Sequence, residues 1–499
     1  INEVNANATS NGVFQGVIAG NARAFREAGI QAPDPSPAGT IPPIPRFDGN
    51  PEVIRVDSDN LSGTSAIDVQ VGQVVSNLTG PLDYSFRRYT VLPETTLGAS
   101  GSTTPTAVTT PTTGEVSIAS YNLQRFYDTT DDPAISEPIL TSGAYQRRLA
   151  KASAGIRQYL GMPDIVAVVE MENLAVLSDL ADRISADALA ASQPDPLYQP
   201  YLIAGNDVGG IDVGFLVKTS PVAASTPRVL VNAVVQERSA ALFSNPDSTT
   251  ETLHDRPPLR LDAVVNNATG QVWPVSVIVN HLRSMNDVAS VVPGSNGWGT
   301  VGERVRAKRF AQAADIAALA QSRQLAQPNE NIVLVGDFNG FEVNDGLVDL
   351  LGTVSGSVVP DNQTAVPGDG IALGDPPLTL MTLLEPATQR YSYVFDGNAQ
   401  VLDHALISQA VIGSTLAQRV ERARINADFP DIERGNANDV RLSDHDPLVL
   451  YLTPSALQAT DVAITLSDSP DPVTAGLALT YTVDAENLSG VSASTVSWS

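Results

Sequence analysis

The chain has no cysteine, which removes disulfides, a thiolate nucleophile and Cys-ligated zinc from its chemistry. Lysine is nearly as scarce, at Lys151, Lys218 and Lys308 only, so arginine carries most of the positive charge. Acids outnumber bases 55 to 29, and the net charge of −26 argues against a general grip on a polyanion, which needs a basic face. Net charge is an average, however. An Arg-bearing cleft, or divalent cations held by carboxylates, can reverse the sign locally. No apolar run reaches the ~18 residues that a membrane-spanning helix needs, and no signal peptide is recognised. Histidine occurs four times, at 254, 281, 404 and 445, so each one matters to a reading of the chemistry.

What is present is length, and abundant Thr, Ser, Gly and Pro. At 499 residues the chain is too long for one ordinary core, so two or three domains are expected. An acidic, lysine-poor, cysteine-free composition fits a secreted or cell-surface protein, and the start at Ile1 fits a processed or partial chain.

Residues 1–97 carry short alternating runs such as Ala66–Val71 and Tyr84–Val91, broken by Gly72 and Gly80-Pro81, and are read as a small β domain with an OB-like barrel as its candidate form. Within it Tyr84, Phe86 and Tyr89 alternate with Arg87 and Arg88 nearby, a pattern that suits base stacking and suits core packing equally well. Residues 98–114 are almost pure Gly, Ser, Thr and Pro without charge, which predicts an extended linker. From 115 to 454 apolar strands alternate with helical stretches, one over Tyr145–Leu160 and another over Glu303–Gln321, predicting a two-sheet α/β or α+β domain. Residues 458–499 return to β signals and are read as part of an immunoglobulin-like module.

Inside the middle region, apolar strands end in chemistry-bearing residues. Ile165–Val169 leads to Glu170, Val275–Val279 to Asn280 and His281, and Ile332–Val335 to Gly336-Asp337-Phe338-Asn339. Ser443-Asp444-His445 stands just before the apolar run from Pro447 to Leu452. Each alone is readable as a turn or cap; together they place acids, amides and imidazoles at several strand ends.

Hydrolysis of a phosphodiester needs water deprotonated, developing charge offset and the leaving oxygen assisted. A positioned acid or base contributes about 10²–10⁴-fold, whereas enzymes reach about 10¹⁷. A divalent metal with preorganised donors is the usual further source. Hard oxygen donors at Glu170, Asp337 and Asp444 favour magnesium, manganese or calcium over zinc.

Six motifs in order, Ser120-Tyr-Asn122 with Phe126, Asp164 to Glu170, Val279-Asn-His281-Leu-Arg-Ser284, Gly336-Asp337-Phe-Asn339, Leu402-Asp403-His404 and Ser443-Asp444-His445-Asp-Pro447, resemble the endonuclease/exonuclease/phosphatase superfamily. Arg256-Pro-Pro-Leu259, Asn426-Ala-Asp428, Val56-Asp-Ser-Asp59 and Gly80-Pro-Leu-Asp-Tyr84 are similar to large secreted bacterial nucleases of that superfamily.

The resemblance implies a four-layer α/β sandwich, two packed sheets flanked by helices. It implies Glu170 as principal metal carboxylate, Asn122 beside it, and Asp444 completing the site. Asp337 and Asn339 would position the water and phosphoryl oxygens, Asp337 also touching metal. His445 would be the general base or transition-state stabiliser oriented by Asp403, and His281 the second imidazole oriented by Asp212. Arg256, Arg283 and Asn280 are candidates for substrate contact, His404 is read as packing and His254 as solvated.

The expected activity is hydrolysis of DNA, with RNA as a further candidate, using Mg²⁺ or Mn²⁺; Ca²⁺ is a candidate structural ion. Alternatives are a phosphatase or sphingomyelinase-like phosphodiesterase of the same superfamily, or an inactive adhesion protein.

Overall fold

The computed structural model describes residues 2–32, 34–37, 44–85, 88–366, 374–457 and 462–487. Two six-stranded mixed sheets form its centre. In the first, the strands run in the order 198–202, 212–218, 165–171, 116–126, 448–454, 415–422; in the second, 229–236, 259–266, 272–281, 332–337, 403–407, 379–380. Each sheet contains one parallel pair at its middle, Val116–Phe126 with Ile165–Met171 and Val272–His281 with Ile332–Asp337, and antiparallel neighbours around it.

The alternation of side chains along a strand sorts the core into layers. Ile118, Ile165, Ala167 and Val169 meet Val277, Val279, Val333 and Val335 between the sheets. Residues one step along, Ala119, Tyr121, Val166 and Val168, pack outward on helices Ser142–Ala154 and Leu174–Ala190. Ile278, Ile332 and Leu334 pack outward on helix Val301–Ala326 through Ala313 and Ile316. Helix, sheet, sheet, helix is the four-layer sandwich that the resemblance implies.

The helices start where the sequence offers caps. Thr141 Oγ1 accepts from the Ala144 N–H, and Thr300 and Glu303 form a capping box. The helix expected over Tyr145–Leu160 changes character at Gly155, continuing as a π-helical turn to Tyr159. A Cβ at Gly155 would lie 3.2 Å from the Tyr121 ring, so glycine allows helix and sheet to close up there. No helix of the described residues is long and apolar enough to cross a membrane.

The flanking regions carry small sheets of their own. In residues 2–100 the main ladder is an open four-stranded sheet, 13–16, 54–57, 88–91, 82–85, with separate two-stranded pairs, and among the described residues it does not close into an OB-like barrel. Phe86 and Arg87 lie outside the described residues; Tyr84 and Tyr89 are exposed and in ring contact with each other. The linker is extended but docked: Thr106 bridges Arg424, Val108 N–H reaches the Tyr159 carbonyl, and Thr109 bonds Glu421. After 457 the described residues hold a single hairpin, Val462–Ser469 with Thr480–Asn487.

Candidate active site

The two parallel pairs end at the same edge of the sandwich, and open α/β sheets bind ligands beyond the carboxyl ends of their strands. Asn122, Glu170, His281 and Asp337 all sit at those ends. Asp403 and His445 reach the same edge from the opposite chain direction, one opening its antiparallel strand and the other just preceding Leu448–Pro454. Six residues spread over more than three hundred positions are thus brought together by sheet polarity.

Local backbone then aims them. Strand Ile165–Met171 is bulged between Val169 and Met171, and Glu170 stands on the bulge in the left-handed region (φ +63°). Its Oε2 accepts the Arg125 N–H at 2.8 Å from a turn in which Gln124 and Arg125 are also left-handed. Asn122 Nδ2 bridges Glu170 Oε1 at 3.0 Å and Asp337 Oδ2 at 3.1 Å, while its Oδ1 accepts the Gln124 N–H. Asn122 therefore spaces two carboxylates and does not turn its oxygen toward the centre, unlike the ligand role expected of it. Asp337 Oδ1 accepts the Asn339 N–H at 2.8 Å, and Asn339 Nδ2 donates to the Leu282 carbonyl.

Both imidazoles face Asp337. His281 Nε2 lies 3.9 Å from Asp337 Oδ2 and 4.0 Å from Glu170 Oε1; His445 Nε2 lies 3.9 Å from the same Asp337 oxygen. His445 Nδ1 is 2.7 Å from Asp403 Oδ2, which also accepts from Ser392 Oγ at 2.6 Å. Burial, with Arg256 and His445 nearby, pushes His281 well below the usual imidazole range. His445 moves the other way: burial opposes its charge, but the Asp403 and Asp337 carboxylates outweigh burial and raise it well above that range. Burial also raises Asp337, partly offset by His445.

Ligand atoms of Glu170, His281 and Asp337 lie within 4.8 Å of one another, as do those of Asp337, Asp403 and His445. Among the described residues no Lys or Arg side chain hydrogen-bonds to Glu170 or Asp337, and the charged group facing them is His445, 3.9 Å from Asp337. That donor set fits a hard divalent cation.

Glu170, His281, Asp337 and His445 line a cavity of about 950 Å³, together with Asp444, Arg256 and Asn339, while Asp403 lies behind His445. Several expected site residues stand differently. Asp444 lines the cavity outside both clusters of ligand atoms. Asp212 Oδ1 accepts the Gly205 N–H and makes no bond to His281, whose Nδ1 has no hydrogen-bond partner among the described residues. Asn280 is fully buried and donates to the carbonyls of Ile278 and Val335, because adjacent strand residues face opposite sides and His281 takes the cleft side. Arg283 does not line the cavity; its backbone is held by Gln312 and Arg309. Arg256 does line it, paired with Asp207 at 2.8 Å and reaching the carbonyls of His281 and Leu282. His254, expected in solvent, is 1 % exposed and bonded to Asp315 on the long helix. His404 is internal, as expected, between Thr382 Oγ1 and the Gly340 carbonyl.

Four residues escaped the sequence reading. Arg148 Nη2 donates to the carbonyls of Leu123 and Gln124, fixing the turn that serves Glu170. Asp446 Oδ1 accepts three backbone N–H groups, from Ile425, Asn426 and Ala427, and its place beside His445 was the one available signal. Ser392 and Tyr393, the latter with its ring 4.9 Å from the His445 ring, lie in a segment with no motif.

The architecture is two mixed sheets packed face to face between helices. A family model described as a domain of unknown function (DUF8508) matches residues 26–104. No curated protein matches the chain. Solved structures similar to it include D. rerio TDP2 humanised by 14 mutations, with 16% identity, 68% of this chain and 99% of that chain covered, and a TM-score of 0.37. They also include the human Nocturnin catalytic domain with bound sulfate, at 13%, 68%, 95% and 0.38. An endonuclease/exonuclease/phosphatase family protein from Bacteroides thetaiotaomicron matches at 14%, 69%, 98% and 0.34.

Proposed function

We propose that this protein is a divalent-metal-dependent phosphodiesterase acting on nucleic acid, DNA first and RNA second, and exported from the cell that makes it. One observation carries the chemistry: Asp337 is shared by two clusters of close-set ligand atoms, one with Glu170 and His281 and one with Asp403 and His445, and Glu170, His281, Asp337 and His445 line a single cavity. Export rests on composition alone.

Glu170 and Asp337 would hold the ion, their spacing set by Asn122. A bound cation supplies positive charge that polarises the phosphoryl group and offsets the charge building on its oxygens. The remaining steps belong to the side chains. His281, kept neutral by burial, can take a proton at Nε2. His445, kept charged by Asp403, can present Nε2–H to a phosphoryl or leaving oxygen. A neutral and a charged imidazole facing the same carboxylate make an acid and a base available together.

Plasmid DNA, single-stranded DNA, RNA, sphingomyelin and p-nitrophenyl phosphate should be compared with Mg²⁺, Mn²⁺ or Ca²⁺ and with chelator. Nucleic-acid cleavage lost with chelator and in His445→Ala is the expected result. Turnover of sphingomyelin or the monoester alone, or a fully active His445→Ala, overturns the reading.

A further inference from the structure

The cavity is not built by the sandwich alone. Arg26, Ile30 and Phe47 line it, the Arg26 guanidinium lying over the rings of Phe47 and Phe341. The same N-terminal region grips a hairpin of the sandwich, Tyr393–Phe395 with Asn398–Gln400. Phe25 bridges Ala399, with Arg26 N–H to the Ala399 carbonyl and Ala399 N–H to the Ala24 carbonyl, both 2.9 Å. Asn50 Nδ2 donates to Asn398 Oδ1 at 2.6 Å, both residues being buried, and Arg88 pairs with Asp396. The hairpin turn is closed down on this region: a Cβ on Gly397 (φ +79°) would come within 2.7 Å of Gln15 and Val53.

What the hairpin presents to the cavity is aromatic. Tyr393 and Phe395, two apart on one strand, share a face. The Tyr393 ring touches the His445 imidazole, and Phe395 is 54% exposed while lining the cavity. An exposed ring two residues along the strand from the ring that touches His445, fixed by polar contacts behind it, is a stacking surface. Every unpaired base offers a π-face, whereas a base inside a duplex has already stacked both of its faces.

We infer that Phe395, with Tyr393, is the stacking wall for an unpaired base next to the bond cleaved, and that the N-terminal region holds that wall in place. This rests on the nucleic-acid reading above and adds a substrate form to it: a single strand. It also gives the segment matched as a domain of unknown function a job in the site, since Arg26, Phe47, Asn50 and Arg88 fall within it.

The test uses the full chain and two probes, an end-labelled single-stranded DNA and the same strand built from abasic tetrahydrofuran residues. Wild type is expected to cleave the base-bearing strand faster. Phe395→Ala should lower kcat/KM on that strand by about 5- to 150-fold, the effect of losing one base–aromatic stack, and leave the abasic strand unchanged. Asn50→Ala should move discrimination in the same direction. Equal losses on both strands, or none, overturn the stacking wall; wild-type discrimination in Asn50→Ala overturns the buttress. Wild type that cleaves neither strand while hydrolysing sphingomyelin removes the nucleic-acid reading itself, a result separate from the first two.

Discussion

Asp403 Oδ2 and His445 Nδ1 lie 2.7 Å apart, with both residues buried and Ser392 donating to the same carboxylate oxygen. The contact fixes the tautomer, leaving Nε2 to face Asp337, and it sets the charge. His445 is raised, and Asp403 is lowered from its ordinary value because its desolvation is outweighed by the His445 charge and hydrogen bond, the Ser392 bond and the Arg422 charge together. The raised histidine stabilises the fold fully below its unfolded value near 6.5 and loses that as pH rises through its folded value. The lowered aspartate stabilises fully above its unfolded value near 4 and loses that as pH falls further. The pair is therefore complete from about pH 4 to about 6.5. Asp403→Asn should cost about 3 kcal/mol in that window, and less at alkaline pH, in urea melts. It should lower kcat by about 10²–10⁴-fold and shift the alkaline limb of the rate profile toward acid.

Glu170 stands at a bulge with its backbone in the left-handed region, aimed at Asp337 across Asn122. Glu170→Gln keeps the shape and removes the charge. Calorimetric titration with Mn²⁺ should show affinity reduced at least about tenfold. Wild type at an ion concentration one hundred times Kd should gain about 2.7 kcal/mol of stability, a gain the variant lacks at the same concentration. Equal stabilisation of both by the ion would remove Glu170 from the metal site.

Arg148 acts on the same site without a hydrogen bond to Glu170. Its Nη2 donates at 2.7 Å and 2.5 Å to the carbonyls of Leu123 and Gln124, and the next residue's N–H serves Glu170. Burial lowers this guanidinium to about 10, which leaves it charged at neutral pH. Arg148→Ala orphans two carbonyls and should cost about 1–3 kcal/mol. Mn²⁺ affinity should fall as well, with partial recovery in Arg148→Lys; a variant that loses stability but binds Mn²⁺ normally would make Arg148 purely structural.

Where chemistry sits at the end of an apolar run, the sequence is legible, because strand and site residue are neighbours: Glu170, His281, Asp337 and His445 were all readable in this way. The sandwich followed from the motif order, and no local signal gave the strand order. Helix Leu174–Ala190 went unread although Asn173 caps it. Naming both Asn280 and His281 to the site overlooked the two-residue period, which lets one of two neighbours face the cleft. The N-terminal wall was unreadable for a different reason. It depends on pairs such as Phe25 with Ala399 and Asn50 with Asn398, whose separation along the chain leaves no periodicity to detect.

Gly336 tests whether sheet geometry or side-chain chemistry holds the floor of the cavity. Its φ is +134°, and a Cβ there would sit 2.0 Å from the Asn280 carbonyl oxygen and 2.9 Å from the Asn280 nitrogen. Both are backbone atoms in the parallel ladder that places His281 opposite Asp337, so no side chain can swing aside. Gly336→Ala should cost about 3 kcal/mol or more and abolish Mn²⁺ binding, whereas Gly413→Ala, with open space around its Cβ, should leave metal binding intact.

Glu172 offers a pH test away from the reacting groups. Two residues beyond Glu170, it is buried, its Oε2 accepts the Asp128 N–H at 2.7 Å, and burial first, then Asp128, Glu137 and Asp132, raises its carboxyl to about 7. With the folded value above the unfolded one, the folded state binds more protons between about pH 4.5 and 7, so stability falls as pH rises through that window and the full penalty remains above it. Glu172→Gln keeps an oxygen for the Asp128 N–H and removes the charge. It should stabilise the protein at pH 8 by about 1–2 kcal/mol, after allowance for screening, and change little at pH 4.5. Urea melts at the two pH values decide it: a Gln variant no more stable than wild type at pH 8 would mean that this carboxylate is already compensated, by a cation or by water reaching Asp128, Asp132 and Glu137.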